Sequence, residues 1–298
     1  MAVVVNWFTS LIKFVQQFVA VGLRRYQRFA IAFLLTTLLA INLSPSSAIA
    51  LDFGDLFRIL PSAIQVIQLS NVSDNDEVNL GRQINAQISQ QVRISRDRNA
   101  IRLVRRLGEM LVPNSDRPNI PYTFQVVEDN SINAFATMGG FVYINTGTIA
   151  SADNAAQLAS VIAHEMGHIG GRHALEQMKQ AAITQGIATA IGVENDQLVG
   201  LGAQLALQLP LSREDEFDAD RRGLLTISRS GFAPQAMPAF MQKLVNSGGG
   251  TPAFLNSHPA TPDRINALNE LIRQNNLASA GGGLNDREYQ SIWRSRYR

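Results

Sequence analysis

The sequence predicts an α+β domain that is mostly helical, with a small β-sheet beside one long central helix. Three observations predict it. Hydrophobic residues recur at helical spacing in at least six segments, only two short segments alternate as strands do, and the strands are not followed one by one by helices as in a parallel α/β fold. The chain has 298 residues, enough for one or two domains and a substantial core.

Residues 1–50 read as an address. Arg24, Arg25 and Arg28 precede an uncharged run over 29–43, and Ala48-Ile49-Ala50 closes it. A basic region, a short apolar stretch and a small-residue site form a secretory signal, with cleavage expected after Ala50. The apolar stretch is shorter than the ~20 residues that span a bilayer, so a retained anchor is the weaker reading. Residues 1–23 are apolar and unusually long for the start of a signal; they fit a surface-lying segment or a start codon further downstream. Residues 51–74 are an irregular lead-in.

From there the elements follow in order. Asn75-Asp76-Glu77 opens a helix over 75–92, and residues 95–97 cap another over 98–112. Residues 113–121, with three prolines, form a loop. Residues 122–127 (YTFQVV) alternate as a strand, and 141–144 (FVYI) form a second after Gly139-Gly140. Residues 152–177 predict one long helix, and the nearly uncharged 181–211 one or two buried helices. Further helices are expected from 211, over 234–247 and over 262–276, with glycine hinges at 248–250 and 281–283 and a basic tail over 277–298.

Composition removes several classes of function. With no cysteine there is no disulfide framework, thiolate metal site or Cys nucleophile. The formal charge of +2 comes from the leader, since Lys13, Arg24, Arg25 and Arg28 all precede residue 50 and no acid does. The remainder is slightly acidic, which argues against nucleic acid as a partner.

Chemistry concentrates in His164-Glu165-Met166-Gly167-His168. His164 and His168 are four apart, so a helix presents both imidazoles from one face, spaced to share one Zn²⁺. Glu165 beside them suits a general base acting on water at the metal. A catalytic zinc needs a third protein ligand, and Glu216 in SREDEFDAD is the candidate, with Asp220 one turn later to accept the free N–H of a ligand imidazole. Alone, such an acidic cluster is a solvated helix face; the HExxH upstream changes its meaning. His173 competes as third ligand, but its five-residue spacing from His168 suits packing or support better.

These residues, with Glu77-Val78-Asn79-Leu80-Gly81, Asn133-Ala134-Phe135-Ala136, Gly139-Gly140, residues 141–147, Arg172-His173 and Ser257-His258-Pro259 followed by Arg264, resemble the HtpX/BepA-type zinc metallopeptidases, relatives of the CAAX prenyl proteases. Thr137-Met138 departs from the proline common there. The resemblance implies a zincin-like domain over 75–276 with one Zn²⁺ held by His164, His168 and Glu216. It implies that Glu165, His258 and Arg264 are catalytic, His258 and Arg264 facing the zinc as oxyanion donors, and that His258 can also occlude the metal. It further implies that Asn133, Gly139, Gly140, Phe141, Val142 and Tyr143 form a substrate-binding edge strand; an ordinary edge strand fits the same residues.

The expected function is zinc-dependent endopeptidase action on unfolded or misassembled envelope proteins, in a periplasm or equivalent compartment. The alternative is a chaperone-like binding module with a structural or plugged zinc. Polypeptides are the expected partners, with membrane contact left open by 181–211 and by an uncleaved leader, and oligomeric state undetermined.

Overall fold

The computed structural model describes residues 72–185, 196–208, 211–246, 253–259, 262–277, 281–285 and 289. The leader 1–50, most of the lead-in, the hinge at 248–250 and all of the basic tail beyond 289 lie outside the described residues.

Helix α1 (Asp74–Gln91) begins one residue before its expected start. Ser73 Oγ accepts the Asp76 N–H at 3.2 Å, and Asp74, Asp76 and Glu77 complement the positive end of the helix dipole. Helix α2 (Arg98–Leu111) is capped by Asp97, whose Oδ1 accepts from Asn99 and Ala100. The chain then passes through a 3₁₀ turn and the proline loop into β1 (Thr123–Val127), β2 (Ala134–Thr137) and β3 (Phe141–Asn145).

The sheet order is β1-β3-β2, with β1 parallel and β2 antiparallel to β3. This corrects the expectation for Phe141, Val142 and Tyr143, which occupy the central strand and have partners on both sides. β2 is a strand the sequence did not announce, and it forms the edge instead. The turn between β2 and β3 needs its glycines: Gly139 has φ 77° and Gly140 φ 96°, where a Cβ is strained. The Thr137-Met138 departure leaves this turn intact.

Every residue of β3 is buried, because both sheet faces are covered. Val142 and Ile144 enter a large core with α2 and the helices over 155–171, 236–246 and 262–274, while Phe141 and Tyr143 enter a smaller one with α1 and the helices over 173–185 and 196–208. After α3 (Thr146–Ser151), helix α4 (Ala155–Gly171), capped by Asn154, packs its apolar residues into the larger core.

The single long helix expected over 152–177 is broken. Arg172 adopts the left-handed conformation at φ 57°, ψ 29°, ending α4, and α5 (His173–Gln185) starts in a new direction. Helix α6 (Asp196–Gln208) follows within the stretch expected to be helical and buried, and it buries Leu198, Leu201, Ala203 and Leu205. Helix α7 (Arg213–Arg229) carries a capping box between Ser212 and Asp215. Then come α8 (Ala236–Asn246), the short α9 (Ala253–Ser257) and α10 (Pro262–Gln274).

α4 and α7 cross with almost no side-chain spacing. A Cβ on Gly167 would lie 2.5 Å from Ala219 O, and one on Gly223 would lie 2.9 Å from Ala163 O. Residues 281–283, expected as a hinge, are fastened to the body. Gly282 N–H donates to Gly231 O at 2.8 Å, Gly282 O accepts from Ala233 N–H at 2.9 Å, and Gly283 O accepts from Ala156 N–H at 3.0 Å. Tyr289 is buried, its hydroxyl donating to Ile149 O. Among the described residues no helix is long and apolar enough to cross a membrane.

Candidate active site

The close crossing of α4 and α7 puts two helical pairs face to face. His164 and His168 project from α4 one turn apart, with Nε2 atoms 3.1 Å from each other. Glu216 and Asp220 project from α7 toward them. Glu216 Oε2 lies 3.4 Å from His164 Nε2, and Oε1 lies 3.5 Å from His168 Nε2. A fourth group arrives from the segment after α9: His258 Nδ1 is 2.9 Å from Glu216 Oε1 and 3.3 Å from His164 Nε2. All four residues are buried, and one donor atom from each falls within 4.8 Å of the others.

These separations fit a metal. Bonds of 2.0–2.1 Å to a tetrahedral centre place neighbouring donors about 3.4 Å apart; five of the six pairs approach to between 2.9 and 3.5 Å, counting either Glu216 oxygen, and the whole set lies within 4.8 Å. Two imidazoles, a carboxylate and a third imidazole also suit a borderline cation.

The atoms behind the donors fix which nitrogen faces inward. His164 Nδ1 stands 2.9 Å from Asp220 Oδ1, which leaves the Nε2 lone pair for the centre. Asp220 is held by Arg264 through Nε at 2.7 Å and Nη2 at 2.8 Å. Arg264 Nη1 reaches Glu216 Oε2 at 2.7 Å and Pro259 O at 3.0 Å. Arg264, expected as an oxyanion donor, is thus engaged with both α7 carboxylates in this structure. Its guanidinium pairs with both buried carboxylates, and Nη1 meets the Glu216 oxygen that also faces His164; a buried cation of this kind needs such compensation.

His168 is supported differently. Its Nδ1 lies 2.9 Å from Nδ1 of His173, whose Nε2 is 3.3 Å from Asp218 Oδ2 and 3.6 Å from Asp215 Oδ1. With His168 Nε2 inward, its Nδ1–H donates to His173, and His173 Nε2–H points to the carboxylates. The break at Arg172 makes this possible. On a continuous helix a residue five positions on would sit about 140° around the axis, away from His168.

The electrostatics are those of a tightly shared charge group. Burial disfavours a charged His164, but Asp220 and Glu216 overcome it and raise its pKa to about 9. Burial, reinforced by the charge on His164, holds His168 well below its ordinary value. Burial works against the Glu216 carboxylate, yet His258 and His164 hold it well below the usual range.

Glu165 is the exception. It is fully buried, neither carboxylate oxygen has a hydrogen-bond partner among the described residues, and His258 Nε2 lies 3.6 Å from Oε1. Burial raises its pKa, against partial relief from His258 and His164. A buried carboxylate without a bond costs free energy, so its placement calls for a proton-bearing partner in the cleft.

That cleft runs past Glu165, His168 and His258, bounded by Phe135, Ala136 and Thr137 of β2 and by Leu175 and Leu205 of α5 and α6. Of the residues expected to bind substrate, Asn133 ties β2 to the His258 segment through Ser257 Oγ at 3.3 Å. Gly139 donates to Glu77 Oε1 at 3.3 Å, and Gly140 only shapes the turn. Sequence reading missed Phe254, whose ring stacks on His258 at 4.7 Å. It also missed the clasp in which buried Glu77 receives Arg117 at 2.8 and 2.9 Å and meets Arg172 Nε at 2.9 Å. The EVNLG motif offered a signal for Glu77, but nothing local pointed to its partners.

Comparison with known proteins agrees with this geometry. The Beta-barrel assembly-enhancing protease of Escherichia coli (strain K12) is 31% identical over 212 residues, 66% of this chain and 44% of that protein. The one from Yersinia pestis is 33% identical over 185 residues, 56% and 38% of the two chains. The Mitochondrial metalloendopeptidase OMA1 of Saccharomyces cerevisiae (strain ATCC 204508 / S288c) is 32% identical over 193 residues, 57% and 54%. The chain thus matches about half or less of the length of each of these relatives. Peptidase family M48 matches residues 99–272, more than half of the chain and the span that carries all four donor residues. The protein belongs to peptidase family M48.

Proposed function

We propose that this protein is a zinc-dependent endopeptidase with its catalytic domain over 75–276. The single observation that carries the reading is the unbonded Glu165 carboxylate beside the His164, His168 and Glu216 donors. When bound, zinc polarises the scissile carbonyl and makes hydroxide accessible near neutral pH. Glu165 takes a proton from the attacking water as the C–O bond forms, then delivers it to the leaving nitrogen as the C–N bond breaks.

Substrate is held as an added strand on β2. Antiparallel alternation supports this, because Phe135 and Thr137 are the residues bonded to β3. The N–H and C=O of Ala136, which lines the cleft, then point the other way. Backbone pairing makes little demand on sequence, which suits unfolded or misassembled polypeptides. The names of the bacterial relatives support envelope proteins as substrates, and the composition of residues 1–50 supports export to an extracytoplasmic compartment.

One observation favours a second reading. His258 completes a four-donor set, as in a closed structural or plugged zinc site. We take the closed arrangement as the resting state, with His258 withdrawing when substrate enters. The test compares the protein with Glu165→Gln and His258→Ala on a fluorescent unfolded protein, with zinc measured in each. The expected result is one zinc in all three, cleavage lost by at least a hundredfold in Glu165→Gln, and cleavage kept or raised in His258→Ala. Zinc in every protein and cleavage in none would leave the binding-module reading standing.

A further inference from the structure

The outer face of α2 carries a charge arrangement that the fold does not require. Arg98, Arg102, Arg105 and Arg106 are exposed, and Arg93 and Arg96 are exposed just ahead of the helix. Arg98, Arg102 and Arg106 stand four apart, so like charges follow one another along a row about 12 Å long. Each neighbouring pair repels. Arg98 also occupies the first helical position, where a cation opposes the helix dipole, and the first turn holds no acid.

Little compensates these charges. Among the described residues Arg102 Nη2 donates to the neutral Asn99 Oδ1, and Glu109 and Glu128 approach Arg105 and Arg93 only to 3.9 Å, while the buried Asp97 carboxylate caps the helix. A merely solvated face has no need of this. On α10, by contrast, Glu270 takes Arg273 and Gln274 in the usual alternation of sign.

Position and residue type give the row a use. α2 packs on β1 and α4, and β1 is the sheet edge opposite β2. All six cations are arginines, whose forked N–H groups match phosphate oxygens while keeping their charge. A straight, convex helix face offers no groove for an extended strand, but it can lie on a plane of phosphates. Met110, 45% exposed at the margin of the face, can enter the headgroup layer as apolar residues of interfacial helices do.

We propose that this face docks the protein on an anionic lipid surface through headgroup phosphates, leaving the β2 edge and its cleft clear. The readout is binding, so the outcome is independent of the peptidase assignment.

The experiment measures partitioning of the full chain onto vesicles of phosphatidylcholine with and without phosphatidylglycerol. The parent is compared with a variant carrying Arg98→Gln, Arg102→Gln, Arg105→Gln and Arg106→Gln, and with one carrying Lys at the same four positions. Any contribution of the apolar residues 1–50 is common to all three. Each basic residue near an anionic leaflet is worth roughly fivefold in partitioning. The Gln set is therefore expected to lose at least a hundredfold on phosphatidylglycerol vesicles, nothing on phosphatidylcholine alone, and to melt no lower than the parent. The Lys set is expected to stay within about tenfold of the parent. Equal partitioning of the Gln set and the parent would overturn the proposal, as would a Lys set as weak as the Gln set. Loss of the difference in the presence of millimolar inorganic phosphate would assign the face to free phosphate, and displacement by polyglutamate alone to an acidic protein; either result overturns docking on lipid.

Discussion

The four donors come from two unlike regions. Three sit on α4 and α7, which approach so closely that Gly167 and Gly223 lie against backbone of the other helix, and nearly all of α4 is buried. The fourth sits on the segment after the five-residue α9. That segment is joined to the sheet by Phe254 N–H to Ile132 O at 2.8 Å, the long contact from Ser257 to Asn133, and the buried Phe254 ring. The first region is rigid because any separation of its helices exposes a core; the second can detach at the cost of a few bonds. A site that must be both assembled and opened divides the two tasks between such regions.

The contrast can be broken most severely behind the rigid pair. Asp220→Asn removes the anion that receives Arg264, leaving a buried cation with poorer compensation, and a loss of about 3–5 kcal/mol is expected in denaturant unfolding. Gly167→Ala forces a methyl group into Ala219 O, and overpacking of this kind costs about 1–3 kcal/mol; zinc affinity is expected to fall with stability, as calorimetry would show. His173→Ala separates the two quantities. It should weaken zinc about 10–100-fold in competition with a chelator while melting changes little. The smallest effect belongs to the detachable region. Ser257→Ala removes a hydroxyl shared between Asn133 Oδ1 at 3.3 Å and the carbonyls of Phe254 and Ala253 at 3.3 and 3.5 Å, so stability should change by about 1 kcal/mol or less, yet peptide cleavage should rise. If it falls instead, the segment holds substrate and is not a plug.

The rigid region was legible from spacing in the sequence, whereas the detachable one was placed by resemblance alone, which put His258 at the metal but not Phe254 against its ring. HExxH and the Glu216–Asp220 pair are spaced by the helical period, so the face they share can be read from one dimension. His173 showed as support for the metal ligands, but the corner that aims it did not. With Gly170 and Gly171 adjacent, a left-handed arginine at 172 is the less expected way to turn, at about 1 kcal/mol or more over glycine. Arg172 spends its side chain on Glu77 and on Val72 O at 2.8 Å. β2, four residues reading Ala-Phe-Ala-Thr, is too short and too poor in branched residues to announce itself. That β3 is central and not an edge follows from pairing between distant segments, which alternation along one strand cannot reveal. Arg264 was placed by resemblance near the metal, but its exact use depends on two carboxylates brought from more than forty positions away.

The fastening at residues 281–283 bears on the order in which the protein is made. Gly283 holds Ala156, at the start of the helix that carries His164 and His168, yet it follows His258 by 25 positions. Synthesis runs from the N-terminus and domains fold as units. Every residue of the four-donor group therefore leaves the ribosome before the piece that secures the helix of His164 and His168, and the nascent chain holds all four side chains ahead of that fastening.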